Sequence, residues 1–187
     1  MIPFFVADGG HARGIVPAIN RLAETLRELG GTVTWVVPAA VEPAVLDMEF
    51  YGPDVAATYG LSGGDGPVRD RLWGELAVVD GDLFPEKRSP SALFPGHTDL
   101  HDQLTARGID TVLIAGTVAN VCCESTARDA KTLGYRVVMA ADANAAATDD
   151  MLNATLRTVY RSFGDVRPVD EVCGLLASFS RSGRRRS

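Results

Sequence analysis

Continuous runs of aliphatic and β-branched residues alternate along this chain with apolar stripes at helical spacing, and that alternation most restricts its fold. Thr32-Val33-Thr34-Trp35-Val36-Val37 and Thr111-Val112-Leu113-Ile114-Ala115 have the character of strands buried on both faces. Ahead of the first, Ile15, Ile19, Leu22, Leu26 and Leu29 recur every three or four residues, with Arg21, Glu24, Arg27 and Glu28 between them. That is one face of a helix. Pro17 fits only in a first turn, so this helix should begin near Gly14 or Ile15; Gly30 and Gly31 should end it. Pro38 closes the strand that follows.

The same reading predicts a strand within residues 76–87 leading into Glu86-Lys87, and a helix from Thr98 to Arg107 closed by Gly108. A helix from about Asn120 to Leu133, closed by Gly134, follows the Thr111 strand. Arg136 to Ala141 is the next strand. Thr148 to Phe163 is a helix with Thr148 as its N-cap and Asp149 and Asp150 facing the helix dipole. Val166-Arg167 form a short strand, and Pro168 to Ser178 a last helix. Residues 38–75, rich in glycine and proline, have no regular pattern and read as a lid, pocket wall or interface. Alternating strands and helices imply a parallel, doubly wound sheet, and right-handed crossovers make it a three-layer α/β/α sandwich. One domain is expected over residues 1–180. Residues 181–187, with Arg181, Arg184, Arg185 and Arg186, read as a disordered basic tail.

Composition removes several functions. A net charge of -6 and no other basic cluster leave no surface suited to nucleic acid. No run of 18 apolar residues could span a membrane, and the N-terminus lacks the basic start and apolar run of a signal peptide. Of the three cysteines, Cys122 and Cys123 are adjacent and Cys173 is left over. Such a set makes a poor disulfide framework. Reduced thiols and a cytoplasmic setting are expected.

In open parallel sheets ligands bind beyond the carboxyl ends of the strands. Gly116-Thr117-Val118-Ala119-Asn120-Val121-Cys122-Cys123-Glu124 lies there, as does Lys87. Cys122 is expected in the first turn of a helix, where the dipole favours the thiolate and free N–H groups can receive an oxyanion. The bland alternative is a buried apolar thiol. Cys123 points about 100° away and reads as core, as does Cys173. Lys87 could steady a developing negative charge, although a lone lysine is more often a surface charge. His97 and His101 have a metal-ligand spacing on a helix, but near its start they read as surface or capping residues. Gly63-Gly64-Asp65-Gly66 does not follow a strand as a phosphate loop would, and reads as a turn.

Together these pieces resemble the isochorismatase-like cysteine hydrolases, a superfamily that includes nicotinamidases, N-carbamoylsarcosine amidases and ureidoacrylate amidohydrolases. Ile114 to Ala130, with Val118-Ala119-Asn120-Val121-Cys122-Cys123-Glu124 at its centre, resembles the nucleophile signature. Glu86-Lys87-Arg88-Ser89-Pro90-Ser91-Ala92-Leu93-Phe94 resembles the lysine motif, Val137 to Ala143 the following strand, and Ile15 to Leu22 the first helix. The resemblance implies that Cys122 attacks a carbonyl carbon, with Lys87 as the basic member of a catalytic triad. It implies an oxyanion hole from the N–H groups of Ala119 and Cys122, arranged by a cis peptide at Val118–Ala119.

The family's third member is an aspartate that ends the first strand. Met1-Ile2-Pro3-Phe4-Phe5 matches the segment starting one residue after it. The resemblance therefore implies an upstream strand whose aspartate falls immediately before Met1. Asp8, the nearest carboxylate inside the chain, lies too far along to replace it. Nicotinamidases use an Asp/His cluster for a divalent ion; Trp35-Val36-Val37-Pro38-Ala39-Ala40 offers no such ligands, so no metal or other cofactor is expected. A cysteine favours C–N hydrolysis of an amide, ureido or carbamoyl compound over vinyl-ether hydrolysis. Phe5, Tyr51 and Trp73 are aromatic candidates for the wall of a small-molecule pocket, and the resemblance implies a homo-oligomer, dimer or tetramer.

Overall fold

A computed structural model describes residues 1–7, 10 and 12–183. After a short helix α1 (Pro3–Val6) and a 3-10 turn over Arg13–Ile15, helix α2 spans Val16–Glu28 with Pro17 in its first turn, where its missing N–H costs nothing. Ile19, Leu22 and Ala23 are buried, so the apolar stripe faces the core. Gly30 ends the helix with φ of 81°, in the left-handed region that glycine enters without a Cβ clash.

Two parallel sheets follow. Strand β1 (Val37–Pro38) pairs with β2 (Glu86–Lys87), Val37 beside Glu86 and Pro38 beside Lys87, with an isolated bridge from Thr34 to Leu83. The second sheet has the order β3 (Thr111–Thr117), β4 (Arg136–Ala145), β5 (Asp165–Arg167). Helices α5 (Leu100–Ala106), α6 (Glu124–Thr132) and α7 (Asp149–Ser162) bury Leu100, Leu104, Ala127, Ala130 and Val159 in one cluster. Helix α8 (Val169–Gly183) joins α1 and α2 in a second cluster through Val169 and Val172. The expected three-layer α/β/α arrangement is therefore the observed one. Thr148 caps α7 by accepting from the Met151 N–H at 3.3 Å.

Three expectations are corrected. Regular pairing in the first strand covers only Val37 and Pro38, with a separate bridge at Thr34 where the Trp35 N–H donates to the Leu83 carbonyl, and Pro38 lies inside the pairing rather than beyond it. The strand leading to Lys87 is likewise short. Residues 38–75 contain helices α3 (Val45–Tyr51) and α4 (Pro53–Leu61), which pack as a hairpin about Gly52. Their apolar residues face outward, with Leu46 73%, Phe50 78% and Tyr59 67% exposed, so no core-facing stripe marks them in the sequence. Helix α8 runs to Gly183, beyond the expected Ser178 and into the segment read as a basic tail; residues 184–187 lie outside the described residues.

Two buried polar side chains tie the first sheet to its surroundings. Arg71 donates to the carbonyls of Pro38, Gly63 and Gly64, each at 3.2 Å, and pairs with Glu86. The Gly63-Gly64-Asp65-Gly66 turn is thereby held against β1, and a Cβ on Gly63 would come within 2.0 Å of the Pro38 oxygen. Asp82 accepts from Arg27 at 2.7 and 3.0 Å, from Trp35 Nε1 at 2.7 Å and from the Val79 N–H at 3.1 Å. Burial alone would raise its carboxyl pKa, but the hydrogen bonds from Arg27, Trp35 and Val79 outweigh burial and lower it. A carboxyl depressed in the fold stabilises above its ordinary value of 3.8, and that stabilisation is lost as pH falls through the folded value. Asp82→Asn is expected to cost about 2–4 kcal/mol at pH 7. In urea unfolding, its gap from the parent should narrow below pH 3.8.

Candidate active site

The carboxyl end of β3 delivers the cysteine. Gly116 adopts φ of 131°, and the β3–β4 register shifts between Ile114 and Gly116. Asn144, only 2% exposed, lies across the shift and donates its amide to the carbonyls of Ile114 (2.9 Å) and Ala140 (2.6 Å). The chain then enters a wide π-type turn, Ala119–Cys123, before α6. In this turn the Val118 carbonyl accepts from the N–H groups of Val121 (3.1 Å), Cys122 (2.9 Å) and Cys123 (3.3 Å). Such turns recur at functional sites because the extra residue re-aims a side chain.

The two thiols differ as the sequence suggested. Both border a cavity of about 350 Å³, but Cys122 is half-buried whereas Cys123 is 6% exposed and packs in the cluster beneath α6. Burial first, and then the neighbouring Cys122, push the Cys123 pKa up to about 12. Cys173 is half-buried against the cluster that holds α2 and α8.

Lys87 ends β2, is 6% exposed and borders the same cavity. Its Nζ donates to the Pro90 carbonyl, and it makes no salt bridge among the described residues. Lys87, Cys122 and the Met1 amino group are all near enough to Cys123 to act on it electrostatically. Thr126 was not singled out from the sequence, yet it joins the two motifs. Its hydroxyl donates to the Cys122 carbonyl at 2.7 Å and accepts from the Ala92 N–H at 2.9 Å. A threonine four residues after the cysteine on a helix was the available signal, since Ser and Thr bond back to that carbonyl.

Several expected residues fall elsewhere. The cis peptide is Thr117–Val118, not Val118–Ala119: Ala119 already belongs to the wide turn, so the reversal comes where β3 ends. The Cys122 N–H, expected to be free for an oxyanion, is engaged by the Val118 carbonyl, because a π-type turn offers one carbonyl to three donors; the Ala119 N–H has no such backbone acceptor among the described residues. Phe5 borders the cavity, whereas Tyr51 and Trp73 do not. Tyr51 is 54% exposed, edge-on to Phe50 and Tyr59. Trp73 packs against the core with the Arg13 guanidinium 5.6 Å above its ring. His97 Nδ1 meets the Arg88 carbonyl and His101 Nδ1 the Tyr135 hydroxyl, so their rings have separate partners. Among the described residues no cluster of three or more His, Cys, Asp or Glu is placed to hold a metal ion. Asp8 lies outside the described residues.

A thiol at the start of a helix and a buried lysine border one cavity at the carboxyl ends of parallel strands in an α/β/α fold. The chain belongs to the isochorismatase family, whose domain model matches residues 1–171. It is 33% identical over 162 residues to an uncharacterized isochorismatase family protein, YwoC, of Bacillus subtilis, covering 84% of this chain and 80% of that protein. It is 36% identical over 104 residues to the ureidoacrylate amidohydrolase RutB of Agrobacterium fabrum, a match spanning 55% of this chain and 45% of the relative. Among solved structures, a cysteine hydrolase from Pseudomonas syringae superposes with a TM-score of 0.82 at 27% identity, over 95% of this chain and 89% of that one. An N-carbamoylsarcosine amidase from Thermoplasma acidophilum superposes with a TM-score of 0.71 at 28% identity, over 91% and 92%.

The thiol environments give a direct expectation. Iodoacetamide at pH 8 should alkylate Cys122 in the folded protein and Cys123 at least about 100-fold more slowly, as read by peptide mapping. Equal labelling would contradict the assignment of Cys123 to the core.

Proposed function

We propose that this protein hydrolyses a C–N bond in a small amide, ureido or carbamoyl compound, by way of a thioester on Cys122. The observation that carries the reading is that Cys122 and Lys87 border one cavity at the carboxyl edge of the sheet. The sulfur attacks the carbonyl carbon as its proton passes to a base. Negative charge gathers on the carbonyl oxygen, which the Ala119 N–H receives together with the Cys122 N–H, shared with Val118. The intermediate collapses by breaking the C–N bond. The amine or ammonia leaves with the proton, and the acyl group remains on sulfur. Water attacks the thioester, releasing the acid and restoring the thiol.

Lys87 acts as the positive member of the site. A buried ammonium normally has a carboxylate partner, and Lys87 has only the Pro90 carbonyl among the described residues. The reading therefore calls for a carboxylate beside Lys87 as the third triad member. The same observation favours one second reading: without that carboxylate the thiol has no base, and the fold serves as a small-molecule binding protein. Vinyl-ether hydrolysis is the weaker enzymatic alternative, since it makes no use of Cys122. The outward apolar residues of α3 and α4 support self-association as a dimer or tetramer. The cysteine set supports a cytoplasmic setting.

An ammonia-release screen over small amides, ureides and carbamoyl compounds tests the proposal. With a substrate in hand, Cys122→Ala is expected to lower kcat/KM by at least about 1,000-fold. Lys87→Ala should lower it by about 100-fold, mainly through kcat. Turnover that survives Cys122→Ala would remove the thioester route; no turnover from any compound, with tight binding of one, would establish the second reading.

A further inference from the structure

The backbone of Lys87 is fixed by β1, since its carbonyl accepts from the Ala39 N–H at 2.8 Å. The ammonium is another matter. It lies at the end of a flexible four-carbon stem, and its one hydrogen-bond partner among the described residues is the Pro90 carbonyl. Where this charge sits therefore depends on residues 88–93, which form neither helix nor strand.

That segment is tied mostly to itself. The Arg88 N–H donates to the His97 carbonyl at 2.9 Å, the Ser89 hydroxyl to the Ser91 carbonyl at 2.8 Å, and the Leu93 N–H to the Ser91 hydroxyl at 3.0 Å. Among the described residues, its one hydrogen bond beyond residues 87–97 runs from the Ala92 N–H to the Thr126 hydroxyl, at 2.9 Å. Ser91, Ala92 and Leu93 are buried, so water does not compete for that bond.

The Thr126 hydroxyl works in both directions. It donates to the Cys122 carbonyl at 2.7 Å and accepts from Ala92. A helical threonine often bonds the carbonyl four residues back; accepting from a distant loop at the same time is the uncommon half. Donation to Cys122 fixes the hydroxyl rotor and turns its lone pairs toward Ala92, and each bond polarises the other. One oxygen thus connects the residue that carries the sulfur with the loop whose Pro90 carbonyl holds the ammonium. Cys122 and Lys87 both act electrostatically on Cys123 and on the Met1 nitrogen, so they share one electrostatic neighbourhood.

We propose that Thr126 is a positioning residue: through Ala92 and Pro90 it sets the place of the Lys87 ammonium relative to the Cys122 sulfur. This rests on the reading of Cys122 and Lys87 as parts of one site. The interaction of two charges falls with their separation. A loop released from Thr126 therefore lowers the positive potential at the sulfur, although no charge has been removed. Thr126→Val keeps the shape of the side chain and loses both bonds. Thr126→Ser keeps both bonds and loses only a methyl group.

A pair of alkylating agents reads this potential. Iodoacetamide is neutral, iodoacetate carries one negative charge, and both react with the thiolate. The ratio of their rates at Cys122 cancels thiolate fraction and access, which a merely structural role would change. Rates are read by peptide mapping at pH 8 and about 10 mM ionic strength, where screening is weak. Lys87→Gln is expected to lower the iodoacetate-to-iodoacetamide ratio about fivefold, and Thr126→Val about threefold. Thr126→Ser should stay within about 1.5-fold of the parent, and Thr126→Val should lower the ratio no further in the Lys87→Gln background. If Thr126→Val does not fold, Thr126→Ala takes its place. An unchanged ratio in Thr126→Val beside a lowered one in Lys87→Gln would overturn the proposal and leave the hydrolase reading standing. So would equal losses for valine and serine, which would assign the effect to packing. An unchanged ratio in Lys87→Gln would overturn both, because the ammonium would then not reach the sulfur.

Discussion

The parallel pairing of β3 with β4 is the interaction on which the rest of the molecule depends. It fixes the position of Thr117, and from there the turn that carries Cys122 has little freedom. Asn144 extends this control beyond regular pairing: its amide spans the register shift and bonds both the Ile114 and Ala140 carbonyls. β4 lies between β3 and β5, so β3 is backed by a paired strand where it leads into the turn that carries Cys122.

The other half is held differently. β1 and β2 pair over only two residues each, and side chains take over what the short ladder does not do. Arg71 gathers three carbonyls and Glu86, and Asp82 gathers Arg27, Trp35 and the Val79 N–H. Lys87 is presented by this half, and Thr126, through Ala92 and the Cys122 carbonyl, is a hydrogen-bonded link from it to the other.

The thiol pair illustrates how one step along the chain separates chemistry from packing. Cys122 and Cys123 share a turn and an acceptor, the Val118 carbonyl. Both border the cavity, but rotation about the helix axis leaves Cys122 half-buried and puts Cys123 in the cluster with Ala127, Ala130 and Val159, where desolvation keeps it protonated. The same turn engages the Cys122 N–H, so an oxyanion would be received on a donor already shared.

Much of this was legible in the chain itself. The stripe from Ile15 to Leu26, the apolar run from Thr111, the capping Thr148 and the glycines at 30 and 134 are local signals, because helix and strand periodicities and backbone conformation act over a few residues. The positions of Cys122 and Lys87 at strand ends were legible for the same reason: each sits in a compact motif. What lay beyond the sequence depended on distant neighbours. Residues 32–36 have strand character, yet they meet the segment before β2 only at the Thr34–Leu83 bridge. Helices α3 and α4 left no pattern because their apolar residues face outward. The place of the cis bond, the engagement of the Cys122 N–H, the exclusion of Tyr51 and Trp73 from the cavity and the link through Thr126 were decided by packing between segments far apart in the chain. No periodicity encodes such contacts, because they exist only once the layers have come together.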